Sequence, residues 1–248
     1  MGRIRAAAEA YMDERDNAGL GWSEESVTDV AVHKGQPEVE VVQFNRRQEG
    51  GGVGADYLWW WLDRWSSDCF GLLVQAKRLD LSGTRPKVDI SHRDGKQLGD
   101  LMRSAEHFQV PAMYSVYTGG AVYRHGLPCF HDKRPGCAQC RRMAILMITA
   151  LQVYLTWEVP ANTASEVLNS GVALEDLVDP ASTVDIPWVM PEIGSEALRE
   201  FLHREQAGPR EVAKRMFAEV VAQRNGSFSA VRPATKAAAR LIASRVAA

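Results

Sequence analysis

The residues best suited to chemistry stand in two short segments, Gly54-Ala55-Asp56 and Val74-Gln75-Ala76-Lys77. Side chains two apart on a strand point to the same face, so Gln75 and Lys77 share a face of any strand they occupy. Between the segments lie two apolar runs, Tyr57–Leu62 and Phe70–Ala76, joined by a turn at Arg64–Asp68. Folded as a hairpin, the runs bring Asp56 beside Gln75 and Lys77. Asp56 and the Gln75 carbonyl oxygen are hard oxygen donors of the kind Mg²⁺ or Mn²⁺ takes. Lys77 supplies a positive charge that can orient or help deprotonate a water and steady charge developing on a phosphoryl group.

The elements that must hold these residues are legible from pattern. Arg3–Asn17 is alanine-rich without a breaker and predicts a helix ended by Gly19-Leu20-Gly21. Ser23-Glu24-Glu25-Ser26 has the capping residue and early acids of a second helix, running to about His33. Glu38–Phe44 alternates polar and apolar residues and predicts a strand. With Tyr57–Leu62 and Phe70–Ala76 it makes an antiparallel meander. Asp94–Phe108 places Leu98, Leu101, Met102, Ala105 and Phe108 on one helical face. Pro111–Tyr117 is a fourth strand, and Met143–Val153 reads as either helix or strand. Ser195–Gln206, Pro209–Arg224 and Thr235–Val246 read as helical. The expected fold class is α/β.

The order helix, three-stranded meander, helix, strand, with Gly-Ala-Asp56 and Gln75-Ala-Lys77 in it, resembles the PD-(D/E)xK nuclease superfamily, the restriction-endonuclease-like fold. Gln75 stands where an acid is commoner, as in the Mrr-like Gln-x-Lys form. The resemblance covers about residues 23–118. It implies a metal-dependent endodeoxyribonuclease in which Asp56 and Gln75 hold Mg²⁺ or Mn²⁺, and Lys77 assists the attacking water. It also implies a first-helix acid, Glu25 in preference to Glu24, and a polar residue from the following helix, Gln97. Gly-Ala-Asp-Tyr-x-Trp-Trp, Val-Gln-Ala-Lys-Arg-Leu and Pro-Ala-Met-Tyr-Ser-Val-Tyr are similar to a bacterial family of unknown function linked to phage defence. The acid-to-amide exchange leaves a second reading open, a catalytically inactive nucleic-acid-binding or scaffold module of the same fold.

Other signals are secondary. Glu49, in the glycine-rich loop before Asp56, is a candidate extra ligand. Cys129-x-His131 and Cys137-x-x-Cys140 have spacings that suit a structural Zn²⁺ site in the loop 119–142, with His125 nearby. Trp59-Trp60-Trp61 and Trp65 suit either a stacking surface for bases or a strand packed on both faces. Arg46, Arg47 and Arg78 flank the proposed site and, with Gln97, are candidates for contacting DNA or RNA. There is no Gly-x-Ser-x-Gly elbow and no phosphate-binding Gly-x-x-x-x-Gly-Lys-Ser/Thr.

Composition sets bounds on all of this. The 248 residues carry 29 Lys+Arg against 31 Asp+Glu, a net charge of -2, and 46% are hydrophobic. That is the make-up of a folded chain and neither favours nor excludes a nucleic-acid partner. Four cysteines do not make a disulfide framework. No apolar run reaches the roughly 20 residues of a membrane span, and the start has no apolar signal segment. The expectation is one cytoplasmic, nuclease-like domain over 1–248. Its core is about 23–118, followed by the Cys/His loop 119–142 and a helical region 143–248. It is expected to bind DNA and no membrane, as a homo-oligomer or with a defence-system partner.

Overall fold

The computed structural model describes residues 1–35, 39–44, 49, 53–62, 69–84, 86–90, 95–108, 110–120, 123–124, 142–157, 164 and 171–177. The loop 119–142, apart from Gly119, Gly120, Tyr123, Arg124 and Arg142 themselves, and the three C-terminal helices expected after residue 194, lie outside the described residues.

Helix α1 spans Gly2–Asn17 and helix α2 Glu24–Gly35. The α1 end uses Gly19, whose φ of 68° lets the chain reverse while its N–H returns to the Asp16 carbonyl at 3.0 Å. Ser23 caps α2 as its sequence predicts: its Oγ accepts the Ser26 N–H at 3.2 Å. The meander follows, with β1 at Val39–Gln43, β2 at Tyr57–Leu62 and β3 at Cys69–Asp80. A two-residue β4, Lys87–Val88, pairs with the far end of β3. Helix α3, Lys96–Phe108, then crosses to β5, Ala112–Tyr117, which runs parallel to β3 with Gln75 opposite Tyr114 and Lys77 opposite Val116.

The ambiguous stretch Met143–Val153 is both elements in turn. β6, Ile145–Thr149, passes directly into helix α4, Ala150–Trp157. Thr149 makes the switch, its Oγ1 accepting the Gln152 N–H at 3.1 Å. β7, Val172–Ala173, leads into a single 3₁₀ turn at Leu174–Leu177. Among the described residues the result is a mixed, seven-stranded sheet in the order β1-β2-β3-β5-β6-β7, with β4 beside β3.

Two cores cover the sheet. Ile4, Ala8, Met12, Val27 and Ala31 of α1 and α2 pack with Tyr57, Trp59, Leu72, Val74 and Ala76 on one face. Leu98, Leu101, Met102 and Ala105 of α3 pack with Leu58, Leu73, Leu79, Tyr114 and Val116 on the other. Strand alternation explains the split. Even positions of β3 face α1 and α2, while odd positions, Gln75 and Lys77 included, face α3. Trp59 is buried in the first core, the outcome expected of a strand packed between helices. A strand covered on both sides is nearly continuous in apolar residues, and β3 departs from that pattern from Gln75 onward, at Gln75, Lys77, Arg78 and Asp80.

β3 runs to Asp80, four residues beyond the end expected from pattern. Lys77 is therefore 6% exposed within the sheet instead of a charge at a strand tip.

Candidate functional site

Asp56 is fixed by its backbone before its side chain is considered. Its N–H donates to the Val74 carbonyl at 2.9 Å and its carbonyl accepts the Phe44 N–H at 2.7 Å. Both neighbouring strands thus hold it at the mouth of β2. Its Oδ2 accepts the Ala76 N–H at 2.6 Å and a hydrogen bond from Gln75 Nε2. Asp56 and Gln75 therefore meet at the end of the hairpin, and Lys77 lies close enough to act on Asp56 through its charge.

Between Val74, where the pairing with β2 ends, and Leu79, where the pairing with β4 begins, no described strand takes the N–H groups on the β2 side of β3, and carboxylates take them instead. Asp56 takes that of Ala76, and Glu24 Oε1 takes that of Arg78 at 3.0 Å. Donors two residues apart on one edge are about 7 Å apart, which sets the spacing of these two acids. Glu24, not Glu25, is the acid that α2 turns to the site. Glu25 is exposed. With Ser23 as cap, Glu24 lies three, four and seven residues before Val27, Thr28 and Ala31, all buried, so the buried stripe of α2 carries Glu24 inward. Periodicity within α2 contains this signal, and depth into the helix is the wrong criterion.

On the α3 side, Lys77 Nζ donates to Gln97 Oε1 at 2.8 Å, and Gln97 Nε2 donates to Glu49 Oε1 at 2.6 Å. Gln97, a candidate nucleic-acid contact, is 7% exposed, and its amide bridges Lys77 and Glu49. The close fit of the loop on α3 depends on Gly54. Its φ is 70°, and a Cβ there would lie 2.6 Å from the Gln97 carbonyl oxygen and closer still to the Leu101 amide nitrogen. We expect Gly54→Ala to lower the melting temperature by several degrees. The left-handed backbone alone costs about 1–2 kcal/mol, and the helix backbone cannot yield. Gly54→Asn relieves only the backbone cost, so a melt showing full rescue by Asn would remove the steric argument.

Arg78, a candidate nucleic-acid contact, is half-buried. At an even position it faces α2, where its Nη1 donates to the Trp22 carbonyl at 2.7 Å and its guanidinium lies 5.8 Å from the Trp22 ring centre. Arg46, Arg47, His125, Cys129, His131, Cys137 and Cys140 lie outside the described residues.

The electrostatics of the cluster are those of a surplus of acid. Glu24, Glu49 and Asp56 interact with one another, and Lys77 lies close enough to act on both Glu24 and Asp56. Burial, then the Glu49 charge, push Asp56 up to about 7, against the Ala76 hydrogen bond and Lys77, which favour its ionised form. Burial likewise raises Glu24. Gln75 Oε1 is buried without a hydrogen-bond partner among the described residues, a state that costs roughly 1–3 kcal/mol. An unpartnered buried carbonyl oxygen beside a proton-retaining carboxylate, in a site with more acid than base, is a donor set that fits a divalent cation. Against this, among the described residues no three His, Cys, Asp or Glu side chains are grouped closely enough to form a metal site by themselves. The two-residue step along β3 that separates Asp56 from Glu24 is the physical reason.

Over residues 3–243 the sequence matches the model of a family of unknown function, DUF6615. The chain is a DUF6615 member. No curated protein matches it. Among the described residues of this DUF6615 member, no helix is long and apolar enough to cross a membrane.

Proposed function

We propose that this chain is a Mg²⁺- or Mn²⁺-dependent endodeoxyribonuclease of the PD-(D/E)xK type, acting in the cytoplasm in bacterial defence against phage. The observation that carries the reading is the contact of Asp56 with Gln75, within the field of the Lys77 charge, at one end of a meander whose third strand is parallel to β5. The run α2, β1, β2, β3, α3, β5 is the order the resemblance implies, and it supports the reading further. Asp56 and Gln75 Oε1 would hold the cation, with Glu24 adding negative charge from α2. When bound, a divalent cation supplies Lewis-acid character, lowering the cost of charge on a phosphate oxygen and of ionising water.

The remaining work falls to the chain. Lys77 Nζ gives one of its three N–H donors to Gln97. The others have no partner among the described residues and can orient a water or steady the phosphoryl oxygens as charge builds in the transition state. Burial on the α3 face strengthens that interaction. Asp56 must lose its proton to serve, so cation and proton compete for it at neutral pH.

The test is cleavage of plasmid, linear and single-stranded DNA, and of RNA, with Mg²⁺, Mn²⁺ or chelator, beside Lys77→Met. Divalent-dependent cleavage of DNA, lost in Lys77→Met, is expected. Gln75→Glu is expected to tighten Mn²⁺ binding by roughly tenfold, since it adds a charge beside Asp56 worth about 1.4 kcal/mol or more. Unchanged affinity by calorimetry would exclude Gln75 as a donor. One observation favours a second reading, an inactive nucleic-acid-binding or scaffold module: the amide at position 75 donates a hydrogen bond to Asp56, which an acid there could not do when ionised. A wild type inactive on every substrate and metal would favour it.

A further inference from the structure

Glu49 is the acid that the Gln-x-Lys pattern does not involve, yet it is tied to the site twice. Its side chain accepts the Gln97 Nε2–H at 2.6 Å. Its carbonyl accepts the Gly54 N–H at 3.2 Å. Gly54 in turn rests on the backbone of α3 between Gln97 and Leu101. Both ends of the short loop from Glu49 to Gly54 are thus fastened to one turn of α3. That turn carries the only hydrogen-bond partner of the Lys77 ammonium among the described residues.

The chemistry of the three side chains fixes the orientation of the middle one. An ionised carboxylate only accepts, and an ammonium only donates. Between them, the Gln97 amide has one satisfactory orientation, Nε2 to Glu49 and Oε1 to Lys77. Without Glu49, Nε2 loses its acceptor in a buried place, and the amide is free to turn away from the ammonium. We propose that Glu49 is a positioning residue that acts through Gln97 to hold Lys77 Nζ in place, and that it is not a metal ligand. For catalysis this rests on the nuclease reading above, but the hold on Lys77 is independent of it.

The experiment therefore has two readouts on the full chain. The first is the acylation rate of Lys77 by an amine-reactive ester, followed by mass spectrometry, which needs no activity. Glu49→Ala is expected to raise that rate at least about fivefold. Glu49→Gln, whose amide oxygen can still accept from Gln97, is expected to stay near wild type. The second is cleavage of DNA. Glu49→Ala is expected to lower kcat by on the order of 10²-fold, the usual cost of a small misplacement, with KM for DNA little changed and Glu49→Gln restoring most of it. Mn²⁺ affinity should be the same in both variants. Unchanged Lys77 acylation in Glu49→Ala overturns the proposal. So does a Glu49→Gln that behaves like Glu49→Ala, which would assign the effect to charge or to metal ligation. If Glu49→Ala does not fold, Glu49→Leu against Glu49→Gln decides the same question. A wild type without nuclease activity would undo the nuclease reading alone, and the acylation result would still stand for or against Glu49.

Discussion

Asp56→Asn should abolish divalent-dependent cleavage and at the same time make the metal-free protein more stable at pH 8. The ordinary aspartate pKa is about 3.9, and in the fold Asp56 is pushed up to about 7 by burial and by Glu49. Between those two values the folded chain binds more protons than the unfolded one, so this group's contribution to stability falls as pH rises from about 4 through about 7. Above pH 7 the charge is forced on a buried site. An asparagine in its place carries no charge. Its amide oxygen can still accept the Ala76 N–H, and its N–H₂ can satisfy Gln75 Oε1. The full cost of the shift is roughly 4 kcal/mol, and partial exposure of Asp56 reduces it, so a gain of about 1–3 kcal/mol is expected. In a chain of this size that is a rise of about 2–10 °C in Tm. Melts in chelator at pH 5 and pH 8 read it directly: a small difference at pH 5 and a large one at pH 8. Equal melting at both values would mean that Asp56 is not strained by its neighbours.

Lys77→Arg should keep DNA affinity and lose turnover by about 10²–10⁴-fold, the range for a positioned acid–base group. Arginine preserves the charge but replaces a compact ammonium with a planar fork that is not deprotonated in proteins. Lys77 is 6% exposed and sits between β3 and α3, with Nζ aimed at Gln97 Oε1. A guanidinium cannot take that place without displacing Gln97, and with it Glu49. Binding is read in Ca²⁺ and turnover in Mg²⁺. Lys77→Arg with wild-type turnover would reduce Lys77 to a phosphate contact.

The meander, both early helices and α3 are legible in the sequence because their signals are local. The bounds of β2 agree residue for residue, since a dense aromatic run between loops has one sensible reading. The contact of Asp56 with Gln75, and the placing of Lys77 on the same strand face as Gln75, follow from strand periodicity and one hairpin. What is not legible depends on partners distant in sequence. β3 looks finished at Ala76 because Lys77-Arg78 resembles a strand tip. It continues because Glu24, 54 residues away, accepts the Arg78 N–H and because Leu79 is buried against α3 and β4. Gln97 is visible only as a polar residue on an apolar helix. Its part as a link between Lys77 and Glu49 requires the loop to fold back on α3, which the type of Gly54 permits but does not announce. The contact of Arg78 with Trp22 is not legible for a simple reason: charge density says nothing about which face a strand position occupies.

The carboxylates along β3 have a consequence for how this protein behaves at high concentration. An open strand edge with free N–H groups is a template on which another chain can add a strand. From Ala76 to Arg78 that template is covered by the side chains of Asp56 and Glu24. The acids that a nuclease reading assigns to metal and water are therefore also what fills the gap along β3 between β2 and β4. Truncating either to alanine bares backbone in the middle of β3, the longest of the described strands. Alanine variants of Asp56 and Glu24 should sediment as aggregates where the asparagine and glutamine variants stay dispersed, and a loss of activity in the former would be in part a loss of soluble protein.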